Sequence, residues 1–331
     1  MQPQKDVIVL NEATKKFGDK VVVDHVSLSV PRGTIFGVIG PSGSGKTTVI
    51  RLILGVHLPD EGSVTVLDQE PRRFSARTRA KVGYLPQHFV LYPELSIREN
   101  LNFVASCYGV PLAGRKERIA KMLDFVGLSE SKNTLAQDAS GGMQRRLGLA
   151  CTLIHEPELI VLDEPTAGID PVLRQKFWDH FRELRDQGRT LVITTQYATE
   201  SEYCDTIAVL ADGRLITVGP PNEIRQSAVG GEVVMLNAAA LTHQHLQIIA
   251  KIPGVLEVRG VSHEDLRITV ESAGAATPAI VSALQEAGLE IGHISEYRPN
   301  FDEVFVQLMK EHETDRKVEP MVPMAERRLS A

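Results

Sequence analysis

The stretch "GPSGSGKTT", Gly40–Thr48, decides how the chain is read. It fits G-x-x-x-x-G-K-[S/T], with Gly40, Gly45, Lys46 and Thr47 at the fixed positions. The apolar run "TIFGVIG", Thr34–Gly40, reads as a buried strand leading into it, and "KTTVIRLILGV" follows with helical periodicity. A strand, a glycine-rich loop and a helix N-terminus, in that order, make a cradle for phosphate. Glycines let backbone N–H groups turn inward around an anion. The helix aims its positive end at the same oxygens. Pro41, Ser42, Gly43, Ser44 and Thr48 complete the loop and the first turn. Lys46 is expected to reach the β- and γ-phosphates of a nucleotide, and Thr47 to offer its hydroxyl to Mg²⁺.

Two more buried strands lead to polar ends. "LIVLDEP", Leu159–Pro165, supplies the acids. Asp163 ends a strand expected to lie beside the strand of the glycine loop, where it would hold Mg²⁺ through water. Glu164 follows and would face the γ-phosphate, polarising an attacking water. "LVITTQYATE", Leu191–Glu200, ends two threonines later in Gln196, a polar side chain delivered to the C-terminal edge of a sheet.

"ASGGMQRRLGLA", Ala139–Ala150, adds a second anion site. Ser140, Gly141 and Gly142 open a helix and present bare amides at its positive end. One nucleotide has no use for two such sites. A head-to-tail dimer does, because each loop-bound nucleotide would be covered by the partner's Ser-Gly-Gly. An ordinary helix cap is the bland alternative. Arg145 and Arg146, on the same helix, read either as added positive field near the partner's nucleotide or as packing and pairing residues.

Outward from these motifs, residues 6 to 36 alternate as antiparallel strands and residues 95 to 153 read as several helices. "TIAVLADGRLITVG" is a hairpin with Asp-Gly at its turn. The whole implies a mostly parallel sheet wrapped by helices, with an antiparallel edge and an inserted helical lobe. Gly230 and Gly231 in "SAVGGEV" read as a linker. Beyond them a strand-helix-strand-strand-helix-strand-helix order suits a small ferredoxin-like α+β unit. The division expected is 1–229, 232–311, and a charged, proline-bearing tail over 312–331 read as disordered.

Composition bounds the rest. The chain has 331 residues, a net charge of −6, and three cysteines without metal-like spacing. Nothing in that balance calls for nucleic acid as a partner. The cysteines read as free thiols of a reducing compartment. The N-terminus lacks the apolar run of a signal peptide, and no window reaches the ~18 consecutive apolar residues of a membrane span. Work at a membrane would need another chain to cross it. The run Arg72, Arg73, Arg77, Arg79 and Lys81 reads as a solvated face, and Phe177 and Trp178 as core.

Taken together, the motifs resemble the ATP-binding subunits of ABC transporters, over about residues 6 to 228 and in family order. The resemblance implies an α/β fold of the P-loop NTPase type: an ABC cassette with a RecA-like core, an antiparallel β edge and a helical signature lobe. It implies ATP and Mg²⁺ as ligands, with metal duties on Thr47, Gln87 and Asp163 and hydrolysis on Glu164, assisted by Gln87 and Gln196. Phe17 looks like the aromatic that stacks on adenine, and Gln87 in "GYLPQ" like the glutamine that senses Mg²⁺ and the membrane partner. Ser140 to Met143 look like the signature motif, and Asp170 in "AGID" like the aspartate that crosses the dimer. Ala139 stands where leucine is usual. Gln196 stands where most members carry histidine; some drug-exporter members have "TTQY" here too. "LYPELSIRENL", "SGGMQRRLGLA" and "RPNFDEVFVQL" resemble ABC-2-type exporters, a group that includes daunorubicin-resistance ATPases. The implied partners are a separate membrane permease and a second ATP-binding subunit, at the cytoplasmic face of a membrane. Competing readings are an import ATPase, or a soluble ABC protein acting on ribosomes or DNA. The latter usually has two cassettes or long coiled-coil insertions, and this sequence shows neither.

Overall fold

A computed structural model of the chain describes residues 5–87, 91–239 and 241–318. The chain divides into two compact units between Pro220 and Pro221.

The first unit begins with β1 (Asp6–Phe17), β2 (Lys20–Pro31), β3 (Ile35–Ile39), α1 (Lys46–Ile53) and β4 (Glu61–Val66). The short α2 (Ala76–Arg79) and β5 (Val82–Leu85) follow. Three helices come next: α3 (Ile97–Cys107), α4 (Arg115–Phe125) and α5 (Gly141–Leu153). The unit closes with β6 (Leu159–Asp163), α6 (Pro171–Asp186), β7 (Thr190–Thr195), β8 (Thr206–Ala211) and β9 (Arg214–Gly219).

The central sheet has six strands in the order β5-β6-β7-β3-β8-β9. All neighbours run parallel except the hairpin β8–β9. Every residue of β3, β6 and β7 is buried, as two-sided coverage of a parallel sheet requires. A three-stranded antiparallel sheet, β2-β1-β4, forms the edge. Helices α3, α4 and α5 pack on one another as a lobe. Phe177 and Trp178 are core residues, fully enclosed. In the basic run, Arg72 and Arg73 share Glu70 at exposed positions, and Lys81 pairs with Glu158, both half-buried.

One sequence expectation is corrected by the strand order. The strand bearing Asp163 does not lie beside the glycine-loop strand, because β7 sits between β6 and β3. All three are short, uniformly apolar runs, and such runs carry no mark of their order. The functional ends still converge, since parallel strands bring their C-terminal ends to one edge.

The second unit contains α7 (Pro221–Val229), β10 (Glu232–Ala238), α8 (His243–Ile249), β11 (Val255–Gly260) and β12 (Asp265–Val270). It ends with α9 (Ala273–Glu286), β13 (Ile291–Tyr297) and α10 (Phe301–Val318). Its sheet is fully antiparallel in the order β11-β12-β10-β13, the ferredoxin-like arrangement of a split βαβ unit. Helices α8 and α9 contribute Ile249, Ile280 and Leu284 to a core with Val234, Leu236 and Ile268. Two details differ from the sequence reading. Helix α9 starts at Ala273, so Pro278 lies inside it instead of opening it. Helix α10 runs to Val318, so residues 312–318 of the expected tail are helical, and the remainder lies outside the described residues. Among the described residues, no helix is long and apolar enough to cross a membrane.

Candidate nucleotide site

The glycine loop joins β3 to α1, and its glycines are steric necessities. A Cβ on Gly40 would fall 2.1 Å from the Leu210 carbonyl oxygen. Gly45 has φ +103°, and a Cβ there would lie 2.7 Å from the Val22 carbonyl oxygen. The first amides of α1 have no partners within the helix, which is what an anion uses. Ser44 Oγ is buried and has no hydrogen-bond partner among the described residues. Lys46 is buried against its own loop. Its Nζ donates to the carbonyl oxygens of Gly40 at 2.8 Å and Pro41 at 2.9 Å. Burial pulls the Lys46 ammonium below its usual pKa, and the carboxylates of Glu164 and Asp163 oppose that pull.

The Thr47 hydroxyl donates to Asp163 Oδ2 at 2.9 Å. Thr194, on the intervening β7, donates its hydroxyl to the other oxygen, Oδ1. Asp163 is thus a buried carboxylate between two hydroxyls. Thr47 and Asp163 are hard oxygen donors next to a phosphate cradle, a set that suits Mg²⁺. Glu164 follows at φ +52°, a left-handed conformation unusual for a residue with a side chain. Its N–H is held by the Thr194 carbonyl and hydroxyl oxygens, each at 3.1 Å. Gln87 reaches it: Nε2 lies 3.4 Å from Glu164 Oε2.

The structure therefore brings together Lys46, Thr47, Gln87, Asp163 and Glu164. Gln196, Phe17, Ser140, Gly141, Gly142 and Asp170 are not among its contacts. Gln196 is exposed just past the end of β7. Phe17 ends β1 and is 45% exposed, its ring edge-on to His57 at 5.2 Å between centroids. Ser140 caps α5, its Oγ accepting from Met143 N–H at 3.3 Å. Asp170 likewise caps α6, accepting from Leu173 N–H at 3.0 Å. Gly141 and Gly142 are exposed, and a Cβ on either would meet nothing within 4 Å. Packing among the described residues therefore does not require glycine at either place.

Several residues that act on the site were not singled out as such in the sequence. Thr194 is one; the paired threonines closing a buried strand were its only mark. Arg145 was weighed only as general field or packing. It instead donates to the backbone oxygens of Gln87, Asp163 and Glu164. Burial draws its pKa below the usual guanidinium value, again opposed by Glu164 and Asp163. Glu200 is a third. It is buried, accepts from the Thr166 hydroxyl at 2.7 Å and lies 3.9 Å from Arg174 Nε. Arg174 in turn donates to the Ile169 carbonyl at 3.3 Å, just before Asp170.

Comparison with known proteins agrees with this geometry. The family model "ABC transporter" matches residues 23–167, and "ATP-binding protein DrrA1-3-like, C-terminal domain" matches residues 219–309. The probable multidrug ABC transporter ATP-binding protein YbhF of Escherichia coli (strain K12) is 38% identical over 230 residues. That alignment takes in 70% of this chain but spans only 40% of the length of YbhF. The daunorubicin resistance ATP-binding protein DrrA3 of Streptomyces coeruleorubidus is 36% identical over 317 residues, 94% of this chain and 97% of that one. A solved ATP-binding cassette, in a dimeric post-hydrolysis state bound to ADP and Pi, superposes with a TM-score of 0.60. It is 26% identical, and the match covers 64% of this chain and 98% of that one. The matched stretches take in the glycine loop, the two acids and the C-terminal unit, and the chain belongs to the ABC transporter ATP-binding proteins with a DrrA-type C-terminal domain.

Proposed function

We propose that this chain is the ATP-hydrolysing subunit of an ABC-2-type export system. The observation that carries the reading is the convergence of Lys46, Thr47, Asp163, Glu164 and Gln87 on one sheet edge, with Thr47 bonded to Asp163. The glycine loop binds the phosphates through its amides, and Lys46 exchanges its two carbonyl partners for phosphate oxygens. Thr47 and Asp163 would hold Mg²⁺, assisted by Gln87, and the ion would supply positive charge against the phosphates there. Glu164 orients and polarises the water, and the exposed Gln196 donates to the γ-phosphate. Phe17 offers its free face to adenine.

The exposed Gly141 and Gly142 support a second subunit. Their missing side chains serve nothing within this chain, so they leave room for a partner's nucleotide. Two such chains close around two ATP and reopen after hydrolysis. The stroke passes to a separate membrane permease, placing the subunit at the cytoplasmic face. Export is favoured by the relatives named for drug resistance. The test is ATP turnover by the purified chain with Mg²⁺, alone and with a co-expressed six-span permease. Lys46→Ala should lose nucleotide binding. Glu164→Gln should keep binding and lose turnover. Wild-type protein that binds no ATP would overturn the reading.

A further inference from the structure

The proposed hydrolytic groups come from separate stretches: Gln87 after β5, Asp163 and Glu164 at the end of β6, and the helix α5 that Ser140 opens. One side chain joins all three. Arg145 on α5 donates through Nη1 to the Gln87 carbonyl oxygen at 2.5 Å. Through Nη2 it donates to the Asp163 carbonyl oxygen at 2.5 Å and to that of Glu164. The hydrogen-bond acceptors are backbone atoms, so the fork sets where the chain runs, and its charge also faces the Glu164 and Asp163 carboxylates. Glu164 needs that support. Its left-handed backbone persists only where the surroundings hold it, and Arg145 and Thr194 grip it from two sides.

We propose that Arg145 is a positioning residue that ties the orientation of the Ser-Gly-Gly helix to the placement of Glu164 and Gln87. The proposal rests on the reading above, in which Glu164 polarises the attacking water. The rigid, planar fork of arginine spans several acceptors at once, and a lysine ammonium does not reproduce that geometry. Helix α5 carries the glycines proposed to meet the partner's nucleotide. Its position is thereby transmitted to the base of its own site. Water attack becomes sensitive to whether the N-terminal end of the same helix, one turn from Arg145, is engaged.

The test compares Arg145→Lys and Arg145→Met in the full chain. ATP affinity, read by titration with a fluorescent ATP analogue, should stay within about two-fold of wild type. The turnover number should fall by on the order of ten-fold with KM little changed. Hydrogen exchange should rise together in the segments around 82–87 and 159–165, with β3 unaffected. In Glu164→Gln, adding Arg145→Met should cost far less of the residual turnover than it does in wild type, the remainder being the share exerted through Gln87. Unchanged exchange in either segment would overturn the proposal. So would full turnover in both variants, or a loss of affinity equal to the loss of turnover. If Arg145→Met does not fold, Arg145→Lys carries the same readouts. Failure of the underlying reading looks different: wild type would bind nucleotide and never turn it over, while the exchange data would still report on the clamp.

Discussion

The Thr47 hydroxyl and the Asp163 carboxylate meet at 2.9 Å although a whole strand separates the strands that lead to them. That strand, β7, is part of the device. Its Thr194 hydroxyl takes the second oxygen of Asp163, and its Thr194 backbone and side chain hold the Glu164 N–H. Thr194→Val keeps the shape and removes the hydroxyl. A lost hydrogen bond to a buried charge costs about 1.5 to 3 kcal/mol, so the urea midpoint should drop accordingly. The Mg²⁺ concentration for half-maximal turnover should rise as well. A variant matching wild type in both would show that Thr194 is filler.

Glu164 should activate water without being needed for nucleotide affinity. Glu164→Gln is therefore expected to accumulate an ATP-bound dimer, visible as an earlier peak in size-exclusion chromatography with ATP. Adding Gly141→Leu places a side chain where this chain leaves open space. That double variant should fold normally and elute as a monomer. A dimer that tolerates the leucine would place the subunit interface elsewhere.

Glu200 tests whether a buried acid can set a distant loop. It joins Thr166, beside the acids, to Arg174 on α6, and Arg174 holds the Ile169 carbonyl before Asp170. Breaking a buried pair by deleting one partner typically costs about 3 to 5 kcal/mol. Arg174 keeps some solvent access, its side chain being 31% exposed, so about half that is expected here for Glu200→Ala. The measurement is chemical denaturation. Glu200→Gln, which keeps the Thr166 contact, should cost less than the alanine variant. Equal costs would mean that charge, and not the hydrogen bond, holds the loop.

The parts of this site that the sequence revealed are those whose chemistry is local. The glycine loop is readable because two glycines, a lysine and a threonine must stand at fixed spacing to bind phosphate. Asp163 and Glu164 are readable because they end an apolar run. Strand order was not, since β3, β6 and β7 are interchangeable as patterns. Arg145 was not, because its partners are backbone oxygens from distant segments, and a carbonyl leaves no trace in residue type. Glu200 hid in "ATESEY", where a buried acid looks like a solvated one. Pro278 was misplaced because proline opens helices far more often than it interrupts them.

The division of the chain gives a prediction that the linker reading would have missed. Helix α7 belongs with the second unit, where it packs against α10 and β10. A chain ending at Pro220 should be soluble and bind ATP. One ending at Val229, before the Gly-Gly pair, would carry α7 without those partners and expose Ile224 and Ala228, buried in the full chain. It should aggregate more readily, by light scattering during storage. If the shorter chain folds but no longer binds ATP, the second unit is integral to the nucleotide site.

Gln196 tests whether an amide can serve where the family resemblance leads one to expect a histidine. It stands exposed one residue past β7, at the edge where Asp163 and Glu164 also end their run. An amide and a neutral imidazole can each donate one hydrogen bond to a phosphate oxygen, but only imidazole takes on charge near neutral pH. Gln196→Ala would remove the proposed bond to a charged group, worth about 1.5 to 3 kcal/mol, so turnover should fall by on the order of ten-fold or more. Gln196→His should retain most of the rate and add a bend in the pH profile near about 6.5. Below it the imidazolium holds the γ-phosphate more tightly, so KM should fall as pH falls; the natural residue gives no such bend there. The measurement is ATPase rate and KM against pH for the three proteins, with a permease present where basal turnover is low. Alanine turning over as fast as glutamine would leave Gln196 as a polar strand end, and the γ-phosphate would then rest on Lys46 and the loop amides alone.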